Sequence, residues 1–262
     1  MIRFIKFSAI SVFILVLTLP VFSQINVKPA IIEETLERGK LSGSFEIRNV
    51  TDKEVRLRAM PGHFELDRQG SIQTVPISVE SLANWLKLNP REFTLSPLAT
   101  RQVRYALITP DSLKDGSYWC SIQFQALPSA EDSARARETF VPIAGVLVPL
   151  LADKGDISYD WEIDSESITQ EPTPEGVAVH VPLRNLCRGR IPYTGTYELR
   201  DTNGEIVNFG TVSRVSVFPN SIRYISIMLP TDLPSGDYDF TLTIESEATD
   251  KTLNGQIRIQ IP

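Results

Sequence analysis

Apolar side chains recur at every second position along most of this chain. Tyr118, Cys120, Ile122 and Phe124 alternate with Trp119, Ser121, Gln123 and Gln125. Tyr238, Phe240, Leu242 and Ile244 alternate with Asp239, Thr241, Thr243 and Glu245. Val103, Tyr105 and Leu107 follow the same rule, and Leu253, Ile257, Ile259 and Ile261 close the chain with Arg258 and Gln260 turned outward. Period two predicts half-buried strands rather than helices. Pro and Gly punctuate the runs at the spacing of sandwich strands. The one helical candidate, residues 79–88 around Trp85, is short.

The pattern also repeats. Phe45-Glu46-Ile47-Arg48-Asn49 leads to Phe64-Glu65-Leu66, a turn at Gln69-Gly70, then Ile72. Val181-Pro182-Leu183-Arg184-Asn185 leads to Tyr197-Glu198-Leu199, a turn at Asn203-Gly204, then Ile206. Pro110, Leu113, Gly116 and Tyr118 match Pro230, Leu233, Gly236 and Tyr238 position for position. Shared order at both places marks an internal repeat. The expected fold is all-β: two tandem immunoglobulin-like β-sandwich domains, residues 24–152 and 153–262, with Tyr118 and Tyr238 as equivalent corner residues whose hydroxyls bond backbone upstream.

Residues 1–23 read as a cleaved signal peptide. Arg3 and Lys6 form a positive start, residues 7–19 an apolar core, and Val21-Phe22-Ser23 a small-residue cleavage site. The apolar run is short for a membrane anchor, and Pro20 breaks it. Export, to the periplasm or outside the cell, follows, with no membrane span after cleavage. Hydrophobic residues make up 42% and charged ones 22%, which excludes a disordered or collagen-like chain. The formal charge is −6, more negative still without Arg3 and Lys6, and no basic block appears, so a nucleic-acid partner is not expected. An exported chain can use disulfides. Cys120 and Cys187 fall in different halves, however, and read either as two separate, partly buried thiols or as a bridge across the domain junction.

The stretch from Trp85-Leu86-Lys87-Leu88-Asn89-Pro90-Arg91-Glu92-Phe93-Thr94-Leu95-Ser96-Pro97, with Val103-Arg104, Pro110, Gly116-Ser117-Tyr118-Trp119 and Ala126-Leu127-Pro128, resembles the first domain of PapD-like periplasmic pilus-assembly chaperones. The resemblance implies two domains around a cleft. It also implies a last strand of the first domain that lends apolar side chains to an incomplete pilus subunit, a β-strand addition. In this chain the corresponding segment, residues 139–151, runs thirteen residues without a charge. Val141, Ile143, Leu147 and Leu151 would point to one side, and Phe140, Ala144, Val146, Val148 and Leu150 to the other. A strand apolar on both faces is covered on both. Either it is wedged at the domain junction or it is a docking edge, with Val141, Ile143, Val146, Leu147, Val148 and Leu151 as the partner-binding strand. The family anchors its subunit's terminal carboxylate with an Arg near the first strand and a Lys on that last strand. Here those places hold Ile32-Glu33-Glu34-Thr35 and Val148-Pro149-Leu150, and neither Lys28, Arg38 nor Lys154 falls on the pattern. The anchoring mechanism therefore does not carry over.

No catalytic or nucleotide-binding signature is present. His63 and His180 read as ordinary strand or loop residues. Asp156, Asp160, Glu162, Asp164 and Glu166, interleaved with Tyr159, Trp161 and Ile163, suggest a strand with one solvated acidic face. Same-face strand residues about 7 Å apart do not wrap a calcium ion. Asn49-Val50-Thr51 is a glycosylation sequon, relevant only to a eukaryotic secretory route. The reading is a non-enzymatic exported protein without cofactor or metal. It binds another polypeptide, a pilin-like subunit or an envelope component, by β-strand addition as a chaperone-like assembly factor. A structural or adhesive surface module is the alternative.

Overall fold

The computed structural model describes residues 24–127 and 145–261. The leader, the residues 128–144 with Val141 and Ile143, and residue 262 lie outside them. The described residues form 18 strands and two single 3-10 turns.

The first domain has two facing sheets. One contains β1 (Ile25–Lys28), β3 (Lys40–Asn49), β8 (Thr100–Ile108) and β6 (Leu86–Asn89), in that spatial order. The other runs β2 (Ile32–Thr35), β10 (Gly145–Lys154), β9 (Gly116–Leu127), β4 (Val55–Leu66) and β5 (Ile72–Val75), with β7 (Glu92–Leu95) also on β4. The alternating residues of both inner faces, Phe45, Ile47, Val103, Leu107, Cys120, Ile122 and Phe124 among them, close one core. The chain enters on β1 in one sheet and crosses to β2 in the other. There β2 lies parallel to β10 with Ile32 opposite Leu150.

The second domain repeats the plan with two four-stranded sheets. β13 (Gly176–Asn185) pairs β11 (Trp161–Ile163) and β12 (Thr169–Thr173) on one side and β16 (Ile222–Leu229) on the other. The facing sheet runs β15 (Ile206–Val217), β14 (Ile191–Arg200), β17 (Gly236–Ser246) and β18 (Thr249–Ile261). Trp161, Tyr193, Phe240 and Leu242 fill its core.

Both corner tyrosines form. Tyr118 donates to Lys114 O and Tyr238 to Pro234 O, each at 2.8 Å and each four residues upstream. The repeat is therefore structural as well as textual. Two local expectations change. Residues 79–88 supply only a 3-10 turn at Leu82–Trp85, capped by Ser81, before the chain extends into β6. The nearest cause is Trp85-Leu86-Lys87-Leu88, whose alternation continues as a strand against β8. The acidic segment is a strand only over Trp161–Ile163, then turns at Ser165–Ser167, and Asp164 pairs with Arg184 instead of lining a solvated ribbon. β10 runs through Lys154, and the positive φ of Gly155 (68°) begins the connection to the residues that follow. Cys120 is buried and Cys187 half-buried, and both are free thiols.

Candidate functional site

β10 is bonded along its whole length to β9 on one side, from Gly145 opposite Gln125 to Lys154 opposite Gly116. On the other side β2 covers only Leu150 to Asp153. Residues 145–149 thus keep an open edge among the described residues. Such an edge offers unpaired main-chain donors and acceptors to an incoming strand. Pro149 closes the open run because it has no N–H to give.

The side chains of β10 divide as the alternation requires. Val148 and Leu150 are buried in the first-domain core, and Val146 packs against it. Val146 and Val148 are therefore committed inward, and anything they give a partner comes from their main chain. Leu147 and Leu151 stand on the opposite face. Leu147 is half-buried, whereas Leu151 is buried in a small cluster with Phe64 and Phe218, against which Leu66 and Trp119 pack. Phe218 comes from the second domain. Its ring meets Trp119 at 4.8 Å and Phe64 at 5.9 Å between centroids, both edge-on. The strand is thus wedged at one end and open at the other.

The junction is also charged. Arg190, with only 8% of its side chain exposed, reaches from the second domain to Glu33 (3.3 Å) and Asp153 (3.8 Å) of the first. Its backbone N–H donates to Ser117 Oγ at 2.6 Å, and Ser117 Oγ donates in turn to Asp153. Arg214 pairs with Glu33 and Glu247, and Arg188 reaches Glu80 and donates to the Tyr118 hydroxyl. Of these charges only Arg190 is buried, and a guanidinium taken out of water depends on its carboxylate partners. Lys154, at the end of β10, donates to the carbonyls of Asp111 and Leu113.

Beside the open edge lies a pocket of about 240 Å³, walled by Phe64, Leu66, Ile72, Pro149, Leu151 and Phe218 and rimmed by Glu33, Arg214 and Arg223. The sequence flagged Leu151 here but not the second-domain arginines, which carry no local signature. A second pocket of about 250 Å³ on the junction is lined by His63, Trp119 and Arg188. There the buried His63 stacks on Trp119 at 5.8 Å and meets Ser78 Oγ at 3.3 Å, and burial lowers its pKa. His180 contacts Ser226 Oγ at 2.9 Å on the strand surface. Among the described residues no group of three or more His, Cys, Asp or Glu is placed to hold a metal, and no helix is long and apolar enough to cross a membrane.

No protein-family profile matches the chain, and no curated relative is found. Solved structures similar to it include the class 5 fimbriae chaperone CfaA, at 8% identity and a TM-score of 0.48 over 91% of this chain and 99% of that one. The CsuC–CsuE chaperone–tip adhesion subunit pre-assembly complex, from the archaic chaperone-usher Csu pili of Acinetobacter baumannii, matches at 12% identity and a TM-score of 0.45, covering 91% and 98%. The CupB2 chaperone of Pseudomonas aeruginosa matches at 11% and 0.44, covering 92% and 100%.

Proposed function

We propose that this protein is a non-enzymatic, exported, chaperone-like factor of pilus or envelope assembly, working in the periplasm or outside the cell. It takes up another polypeptide by β-strand addition on β10. The observation that carries the reading is the edge of residues 145–149, open among the described residues, beside a covered end of the same strand. A partner strand gains main-chain hydrogen bonds there, and alternate side chains of the outward face set specificity. Leu147 supplies that face among the described residues, and Val141 and Ile143 precede it in the sequence. Val146 and Val148 hold the strand to the core, and Leu151 anchors its far end.

The test is the double substitution Ile143→Asp, Leu147→Asp in the exported chain. Charge buried without a partner is costly in a complex and cheap at an open edge. The expected result is a folded protein whose melting temperature is nearly unchanged and which no longer co-purifies with its bound polypeptide. Unfolding of the double mutant would sink the reading and make the strand an internal wedge. A partner retained as a stoichiometric component of the cell surface, never released, would favour the structural or adhesive module.

A further inference from the structure

Arg223 lines the cleft pocket, and no carboxylate among the described residues forms an ion pair with it. It is half-buried on β16, and its Nη1 donates to Ser216 O at 2.9 Å. The other two arginines of the cleft are neutralised within the protein: Arg190 by Glu33 and Asp153, Arg214 by Glu33 and Glu247. Among the described residues Arg223 has no such partner. Its guanidinium abuts the first domain. The turn at Gly70 sits so close that a Cβ there would collide with the guanidinium, and Tyr224 N donates to Arg68 O at 2.7 Å, fastening that first-domain turn to β16. A guanidinium beside an apolar wall is a ready carboxylate receptor, because its planar fork of donors matches the two carboxylate oxygens.

Its place relative to the edge sets what it meets. The open run of β10 stops at Pro149, and from Leu150 onward β2 occupies the neighbouring position. A strand laid along residues 145–149 must therefore leave the sheet where Pro149 and Leu151 form one wall of the pocket. Once out of the ladder, it is held by side chains alone. We propose that the pocket receives an apolar side chain of the bound polypeptide, and that Arg223 binds the carboxylate of an adjoining Asp or Glu side chain. This rests on the edge-docking reading above and adds to it the chemistry of the partner: an extended apolar segment followed by an apolar–acidic pair.

The test uses the full exported chain, isotope-labelled, and two synthetic ten-residue peptides of alternating Val and Ser, acetylated and C-terminally amidated, ending in Phe-Asp or Phe-Asn. The Phe-Asp peptide is expected to bind about tenfold more tightly, the worth of one hydrogen-bonded charge pair. Amide shifts should appear both at residues 145–149 and around Phe218 and Arg223. In Arg223→Met the advantage disappears while Phe-Asn affinity is unchanged, and Arg223→Lys keeps part of it. Equal affinities on the native chain, or an advantage that survives in Arg223→Met, overturn the proposal. So does a Phe-Asn peptide with a free terminal carboxylate that binds as well as the amidated Phe-Asp one, since the chain end would then be the ligand. Shifts at 145–149 without pocket shifts overturn the pocket and leave edge docking standing. Pocket shifts without edge shifts do the reverse, and no shifts at all overturn both.

Discussion

Asn49 and Asn185 occupy the same position in the two domains and make the same bonds. Each is buried at the end of its strand. Each donates from Nδ2 to the carbonyl four residues on, Lys53 or Gly189, at 2.7 Å, and to a distant strand carbonyl, Leu95 or Val217, at 3.2 Å. Each accepts at Oδ1 from the backbone N–H two residues on, Thr51 or Cys187, at 2.9 Å. Even the side chains of Thr51 and Cys187 play one part, donating to that same oxygen. A buried amide satisfied in this way fastens a loop to the sandwich edge.

Asn49→Ala and Asn185→Ala should each cost about 2–4 kcal/mol, because several buried carbonyls and an N–H lose their partner together. Urea unfolding of the two variants checks this, and the two costs should be alike. The same burial makes the Asn49-Val50-Thr51 sequon unusable once folded. Peptide mapping after secretion from a eukaryotic host should find Asn49 unmodified in the folded product.

Tyr238→Phe should cost about 1–3 kcal/mol by leaving Pro234 O unpaired. Tyr118→Phe should cost more, since its hydroxyl both donates to Lys114 O and accepts from Arg188 of the second domain at 3.1 Å. A smaller loss at Tyr118 than at Tyr238 would show that the Arg188 contact contributes nothing.

These matched pairs also show what the sequence could reveal. Period two and the shared Pro-Leu-Gly-Tyr order were enough for the two sandwiches and both corners, because strand alternation and corner geometry are local. The role of Asn49 and Asn185 was not readable, since their acceptors at Leu95 and Val217 lie some tens of residues away. The open edge of β10 depended on where β2 stops, a parallel pairing between residues more than a hundred apart. Arg190 bonds across the domain junction and Arg223 lies against the Gly70 turn of the other domain, and nothing in their own sequence neighbourhoods marks them. The segment at 156–166 misled because alternating acids suggest a ribbon, yet Arg184 on the adjoining strand captures Asp164 and the chain turns.

Burial pushes the Cys120 thiol up to about 12, whereas Cys187 is half-buried. The thiolate is the reactive form. Alkylation of the folded protein at neutral pH should label Cys187 slowly and leave Cys120 untouched, and denaturation should make both reactive. Mass spectrometry of the labelled peptides decides it; a pair that resists labelling after denaturation would mean a bridge.

His63 gives the fold a pH dependence of known sign. Burial beside Trp119 lowers its pKa in the folded protein. In the unfolded chain the imidazole takes up its proton near the ordinary value of about 6.5. As pH falls through that value the unfolded state binds more protons, so stability drops. The melting temperature should therefore decline from pH 7.5 to 5.5, and His63→Phe, which keeps the ring stacked on Trp119, should flatten the decline. A decline of equal slope in His63→Phe would assign it elsewhere.

Phe218 couples the two domains. It is the second-domain member of an otherwise first-domain cluster, wedged against Trp119, Phe64 and Leu151. Removing the ring opens a cavity at the junction, and Phe218→Ala should cost about 3 kcal/mol. The polar ties, Arg190 to Glu33 and Ser117 N to Arg188 O, remain but become more exposed to water, where ion pairs weaken. Each sandwich has its own core, so neither should unfold outright. The expected calorimetric result is a single unfolding transition in the native chain and two resolved transitions in Phe218→Ala, the first-domain one shifted more because Leu151 and β10 lose their cover. A single, uniformly shifted transition would show that the charged ties alone couple the domains, and that the end of β10 is held by them instead of by the aromatic wedge.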